Sequence, residues 1–376
     1  MKPEQLPPPS GSVDAPPFGI AAVLGKWGLG GVLSLAAGLA LVVLLFRRLG
    51  VRAVADVLKH SSLPLLSLAV AALLAFYLLR ALRWGVILQW KVGYGALLAY
   101  SSIGYLVSSV APAQAGELVK PALVRSRHGI PYSVTAASVA IERLLDVTTL
   151  VLIGAVAVAF IPHHRLGPKW IVAIVEVGGA VVATALLFLG LGSRWAEGVV
   201  RGITRMLSPF PIPSGIKQHI GDVVGLFLGG IGQALSPLTL ACAMACGTAM
   251  WLINAASVAL VFAAVMGPIP SHVLLLLGYV AFSLGLALPL TPAYVGQFEA
   301  MWLLVFAALH VATKADVLAA GVLCHSLILL TIAFLGLLSL GAMFLTDASQ
   351  TALQTEAVPA EAASADAEIG ADQSGI

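Results

Sequence analysis

An all-α polytopic membrane protein is the fold class this sequence predicts, and three observations predict it. The 376 residues are 60% hydrophobic and only 10% charged, whereas soluble domains run near half apolar and a quarter charged. Several apolar runs reach the roughly 20 residues that a helix needs to cross the hydrocarbon core. Segments of about 10 residues with alternating polarity, the mark of a membrane β-barrel, are absent. About eight membrane segments are expected, including two re-entrant broken hairpins in an inverted-repeat-like arrangement.

Residues 1–18, "MKPEQLPPPSGSVDAPPF", are proline-rich and lack a basic stretch followed by an apolar core. They read as a disordered leader rather than a signal peptide. Residues 19–345 are expected to form one transmembrane domain. Its apolar runs lie near 28–46, 63–82, 96–112, 134–161, 170–192, 236–266, 272–290, 298–311 and 317–345. Residues 346–376 are rich in Ala and Ser, with six acidic and no basic residues, and read as a disordered, solvated tail. Setting those six aside leaves 11 acidic residues against 20 Lys+Arg, so the body is near +9 although the formal net charge is +3. That balance suits anionic headgroups, and ordinary positive-inside loops would produce the same excess.

Basic clusters separate many runs: Arg47, Arg48, Arg52 and Lys59, then Arg80, Arg83 and Lys91, then Lys120, Arg125 and Arg127. If every run crossed fully, successive clusters would fall on opposite sides, against the positive-inside tendency. Runs that enter and return on one side would remove the conflict. Two places invite such a return. Run 96–112 ends in "SSVAPAQAGELVKPALV" and run 272–290 leads into "PLTPAYVGQFEA". Pro112-Ala-x-x-Gly116 and Pro292-Ala-x-x-Gly296 match, and each is followed within three residues by a glutamate, Glu117 or Glu299. Proline removes a backbone donor and glycine disfavours helix, so the chain should turn at both. Paired Gly/Pro-interrupted segments in the two halves of a membrane protein point to a transporter's binding site. Two ordinary loops are the plainer reading, with Glu299 acting as a cap on the helix that follows.

Run 134–161 carries a polar insertion, "IERLLDV". Glu142 and Asp146 are four apart and share a helix face, and Arg143 can reach Asp146. Three charges beside apolar turns should face the protein interior, a cavity or the interface, and a structural ion pair would also account for them. Glu176 in "IVAIVEVGGAV" reads as a buried acid, either a proton site or a partner of Asn254. His163-His164 reads as a headgroup-level loop. Cys242, Cys246 and Cys324 read as small packing residues, since C-x-x-x-C without a nearby histidine is a poor metal pattern. No metal site and no cofactor is expected.

Four blocks together resemble the lysylphosphatidylglycerol synthase transmembrane region, or flippase-like domain, family. "LLRALRWGVIL" (78–88) is similar to its Arg-x-x-Arg-Trp segment and "PAQAGELVKPALVRSRHGI" (112–130) to its Pro-x-x-x-Gly-Glu segment. "ASVAIERLLDV" (137–147) resembles its Glu-Arg-x-x-Asp helix, and "LPLTPAYVGQFEA" (288–300) its second Pro/Gly segment. The likeness spans about residues 30–345. Three departures stand out: Ala293 replaces a usual glycine, which predicts a less sharp turn; Lys120 replaces an arginine; and His325 lies where an arginine is frequent. The resemblance implies an inner-membrane protein concerned with lipids. It also implies no aminoacyl-transferase activity, since about 30 residues after the last helix leave no room for that catalytic domain.

The leading functional expectation is a non-enzymatic protein that binds and flips an anionic phospholipid or lipid-linked molecule in the bacterial cytoplasmic membrane. Arg80, Arg83, Lys120 and Arg143 would attract the headgroup. Glu117, Glu142, Asp146 and Glu299 would set helix geometry or carry protons, and helix N-termini at the breaks would offer N–H groups to a phosphate. With no G-x-x-x-x-G-K-[ST] loop in the sequence, directed transport would draw on an ion gradient, a partner or a downhill lipid supply. The alternative is an accessory protein presenting a lipid-linked sugar to a separate glycosyl- or aminoacyl-transferase. Membrane lipids are the expected partners, a homo-oligomer is a candidate assembly, and nucleic acid is not expected.

Overall fold

The computed structural model describes residues 59–111, 114–161, 236–269, 271–286 and 291–372, with isolated positions between 169 and 180. The run 28–46, most of 170–192, Pro112, the first basic cluster up to Arg52 and the His163-His164 pair lie outside the described residues.

Among those residues the structure is helical. Helix α1 spans Leu63–Ile87, with a proline in its first turn, where a missing N–H is harmless. Helices α2 (Tyr94–Val110) and α3 (Gly116–His128) follow, and α3 ends on Gly129, whose φ of 66° suits a left-handed C-terminal residue. Helix α4 spans Tyr132–Phe160. Helix α5 (Pro237–Met266) begins where the Ser236 hydroxyl accepts the Thr239 N–H at 3.2 Å. Helix α6 (His272–Gly285) is capped likewise by Ser271, at 3.3 Å from the Leu274 nitrogen. A 3-10 turn, Pro292–Tyr294, precedes α7 (Gln297–Ala308), and α8 runs over Lys314–Asp372. The run 272–290 therefore breaks earlier than its apolarity suggests. At the other end, α8 continues through the segment expected to be a disordered tail. Alanine is the strongest helix former, and this segment is rich in it.

Among the described residues, four helices are long and apolar enough to cross a membrane: Leu63–Ile87, Tyr132–Phe160, Pro237–Met266 and the Lys314–Thr346 part of α8. The other four are short. At about 1.5 Å per residue, α2 and α3 extend roughly 25 and 20 Å, and α6 and α7 roughly 21 and 18 Å, against a hydrocarbon core near 30 Å. Each short pair packs as an antiparallel hairpin. In the first, Tyr100 meets His128 and Gly104 meets Gly116 and Lys120. In the second, Gly278 meets Phe306, and Gly285 meets Met301.

Among the described helices, lengths thus run long, short, short, long, twice. The packing crosses between these halves. Helix α2 lies against α8, α6 lies against α4, and the first helices of the two halves, α1 and α5, pack on each other. Small residues allow that last approach: the buried Ser257 hydroxyl donates to the Ala69 carbonyl at 3.0 Å. An aromatic core from α5, α6 and α7 closes the second half, with Phe262 stacked on Trp302 at 5.4 Å and Phe282 edge-on to Trp302.

Candidate functional site

The site assembles from the last turns of α1, the start of α3 and the middle of α4. Arg80 and Arg83 sit three apart on α1, and Glu142 and Asp146 sit four apart on α4, so each pair presents one face to the other. Arg83, fully buried, places Nη1 2.7 Å from Asp146 Oδ1 and Nη2 3.6 Å from Glu142 Oε1. Arg80 Nη2 reaches Asp146 Oδ2 at 3.4 Å. Lys120 Nζ bridges Glu142 at 3.0 Å and Glu117 at 3.4 Å. Arg143 pairs with Glu117 and approaches Asp146 at 3.5 Å.

Seven sequence-predicted residues therefore form one network, with four cations (Arg80, Arg83, Lys120, Arg143) against three carboxylates. One positive charge is left over. Aromatic faces hold the cations from the other side: Lys120 Nζ lies 4.7 Å from the Trp84 ring, and the Arg80 guanidinium 5.2 Å from Tyr105. Trp84 is itself fixed by donating to Ser138 at 2.9 Å, and Trp251 of α5 donates to Asp146 at 3.0 Å. Close packing depends on Gly247, where a Cβ would stand 3.2 Å from an Arg83 nitrogen.

Beside the network lies a cavity of about 570 Å³, within the size range of small-molecule sites, roughly 300–1,000 Å³. Arg80, Glu117, Arg143 and Asp146 line it, while Arg83, Lys120 and Glu142 stand behind as support. Its walls are otherwise mainly aromatic and aliphatic. Four donors on the cavity residues have no hydrogen-bond partner among the described residues: Arg80 Nε, Arg143 Nε and the hydroxyls of Tyr105 and Tyr279. Buried donors without partners are costly, so a ligand that accepts hydrogen bonds fits here.

The two breaks meet at this cavity. Gln114, in the first, donates to the hydroxyl of Tyr294, in the second, and both residues line the wall. Gly116 serves close packing as well as the turn: a Cβ there would fall 1.7 Å from the Gly104 carbonyl oxygen. Pro292 is buried in the 3-10 turn, and Gly296 has φ 78°, a conformation suited to glycine. Ala293 also adopts positive φ, 51°, so the turn keeps its sharpness without the glycine.

Glu299 caps the start of α7, the plainer of the roles that the sequence offered. It does not line the cavity; its Oε2 accepts the Gly296 N–H at 2.9 Å and its Oε1 lies 2.6 Å from His325 Nδ1. The free N–H groups expected at this helix start are thus partly taken by its own glutamate. His325 does border the cavity. Glu176 is exposed rather than buried, while Asn254 lines the cavity. Cys324 is buried, Cys246 half-buried and Cys242 exposed, so packing describes only the first two.

Sequence reasoning passed over Gln114, Tyr294, Tyr105 and Trp251. The first two lie inside the matching Pro-Ala-x-x-Gly segments and carried a signal; the last two are aromatics in oily helices and carried none.

The family described as "Lysylphosphatidylglycerol synthase TM region" matches residues 31–336. A curated relative, Glycosyltransferase AglD of Haloferax volcanii, is 28% identical over 306 residues, covering 73% of this chain and 48% of that protein. The chain spans about half the length of this relative. No solved structure matches it.

Proposed function

From a chain that belongs to the lysylphosphatidylglycerol synthase transmembrane-region family, we propose a membrane protein that binds an anionic phospholipid or lipid-linked molecule and moves its headgroup across the bilayer. One observation carries this reading: unpartnered donors on the cavity residues, Arg80 Nε, Arg143 Nε and Tyr105 OH among them, beside a network with one surplus positive charge. A phosphate in the cavity would supply acceptors to the Arg80 and Arg143 guanidinium groups that border it. Arg80 and Arg143 bind it; Glu117 and Asp146 hold those guanidinium groups in place; Arg83, Lys120 and Glu142 keep the scaffold rigid. Gly116, Pro292, Gly296, Glu299 and Pro112 shape the breaks. The chain acts by binding rather than by bond-making, and the bacterial cytoplasmic membrane is its proposed location.

In this reading the hairpins α2–α3 and α6–α7 are re-entrant and the halves are inverted repeats. Support comes from their lengths, too short for a full crossing, and from the crossed packing of each hairpin on the other half's last long helix. Backbone broken at membrane depth persists only where protein or a wet cavity satisfies it, and both breaks border the cavity.

The test is reconstitution of the purified chain into vesicles carrying fluorophore-labelled phosphatidylglycerol or phosphatidylcholine, with an impermeant quencher. The labelled anionic lipid should exchange leaflets faster than in protein-free vesicles and faster than the zwitterionic one, and Arg80→Gln with Arg143→Gln should remove the difference. Equal rates with and without protein would sink translocation. The relative's name, a glycosyltransferase, favours a second reading in which the cavity presents a lipid-linked sugar to a transferase; binding without leaflet exchange would be its signature.

A further inference from the structure

The two halves hold their break-end glutamates differently. Glu117, in the first turn of α3, is held by Arg143 of α4, 26 residues on. Glu299, in the first turn of α7, is held by His325 of α8, also 26 residues on. The spacing and the place in the long–short–short–long order are the same. His325 thus stands where the first half has a permanent cation, and an imidazole can lose its charge near neutral pH where a guanidinium cannot.

Geometry fixes the proton count. His325 Nε2 lies 2.8 Å from the Ala293 carbonyl oxygen, which only accepts, so Nε2 carries a hydrogen. Nδ1 faces Glu299 Oε1 at 2.6 Å, and the carboxylate's other oxygen already accepts the Gly296 N–H. A proton must sit between Nδ1 and Oε1; without it two lone pairs would face each other at close range. The ring is stacked on Phe298, centroids 4.3 Å apart and 13° from parallel. Losing the shared proton therefore weakens the ring's hold on Ala293, one of the residues with positive φ in the break.

Other ionisable groups around this cavity cannot take that role. Arg80 of α1 and Arg143 of α4 keep their charge at any ordinary pH. Glu117 of α3 and Asp146 of α4 are each held by at least two cations. Tyr77 of α1, Tyr105 of α2, Tyr279 of α6, Tyr294 of the break and Cys324 of α8 also line it, and phenols and thiols stay neutral well above pH 7. Helix α5 contributes no ionisable side chain to the wall. His325 borders the cavity and can exchange its proton there.

We propose that Glu299 and His325 form a proton-binding site that keeps the second break closed when occupied and releases it when empty, while the first break stays permanently pinned. Its link to lipid movement rests on the translocation reading; the proton site itself does not.

The test is thermal unfolding of the full chain in phosphatidylcholine nanodiscs at intervals from about pH 5 to about pH 8. The imidazolium–carboxylate pair is intact on the acid side, so the wild-type midpoint should fall by roughly 2–4 °C as pH rises. His325→Arg, with a charge that cannot be lost, should flatten this fall, and so should Glu299→Gln. A wild-type profile that matches His325→Arg would overturn the proposal. Should the variants not fold, ¹⁵N-histidine spectra of the wild type decide: one imidazole must show both nitrogens protonated, with Nδ1 in a short hydrogen bond, at the acid end of the series and lose that signature at the alkaline end, and its absence would equally overturn the proposal. The pH profile of leaflet exchange is then read in the vesicle assay. A pH-dependent midpoint with no leaflet exchange leaves the proton site standing and removes translocation; leaflet exchange with a pH-independent midpoint does the reverse.

Discussion

At the scale of single residues, the charged network is the costliest feature of the chain and the most informative. Arg83 is fully buried and holds Asp146 at 2.7 Å, so Arg83→Met leaves that carboxylate short of a partner in a membrane interior. The expected loss is about 3 kcal/mol, at the lower end for a broken buried pair because Arg80 and Arg143 remain. Adding Asp146→Asn removes the stranded charge, so the double variant should unfold at a higher temperature than Arg83→Met alone. A double variant less stable than the single would mean that the carboxylate is not what suffers. Ala293 offers the opposite sign. Its φ of 51° is strained for any residue with a Cβ, by about 1 kcal/mol. Ala293→Gly relieves that strain but adds freedom to the unfolded chain, so the net change should be a stabilisation of a few tenths of a kcal/mol. An unfolding midpoint lower than wild type would show that the methyl group contributes packing that outweighs the strain.

At the scale of elements, the first hairpin depends on two glycines meeting across α2 and α3. A Cβ at Gly116 would lie 1.7 Å from the Gly104 carbonyl oxygen, which is backbone and cannot swing aside. A Cβ at Gly104 would lie 2.7 Å from Lys120 Cγ, part of a flexible side chain. Gly116→Ala should therefore destabilise by about 3 kcal/mol or more, and Gly104→Ala by less. Equal effects in unfolding by heat would argue that the hairpin slides to accommodate both. The same hairpin brings its outer ends together, with Tyr100 bonded to His128. Single cysteines at the exposed positions Gly95 and Arg127, in a background free of Cys242, Cys246 and Cys324, should then react with an impermeant thiol reagent from one side of the membrane. Reaction from opposite sides would make α2 and α3 parts of full crossings. These hairpins were legible as far as chemistry marks a turn: proline and glycine announced both breaks. The sequence could not show that Gly116 is a packing contact, because closeness between α2 and α3 is a property of two chain segments.

At the scale of the whole molecule, what the sequence held and what it hid divide along the same line. Apolar runs and the charges on one face of α4 are local patterns, and they led to the spans and to most of the network. The cavity is not local. Tyr105 of α2 and Trp251 and Asn254 of α5 line it from two distant parts of the chain, and only packing brings them to one wall. The setting of Glu299 was hidden for a related reason: its partner, His325, lies on another helix. The two breaks meet in the contact of Gln114 with Tyr294. If the chain moves a headgroup as proposed, the two breaks should part, since their residues form the cavity wall. Gln114→Cys with Tyr294→Cys, joined by a short bis-thiol reagent that a reductant can cleave, should bring leaflet exchange down to the protein-free rate. Reductant should then restore it, and either cysteine alone should be insensitive to the reagent. A ligand held in the closed cavity should stay bound, because Arg80 and Arg143 are not touched by the cross-link. Exchange that continues at full rate in the joined protein would mean that lipid moves by another path, and that this cavity holds its ligand without passing it on.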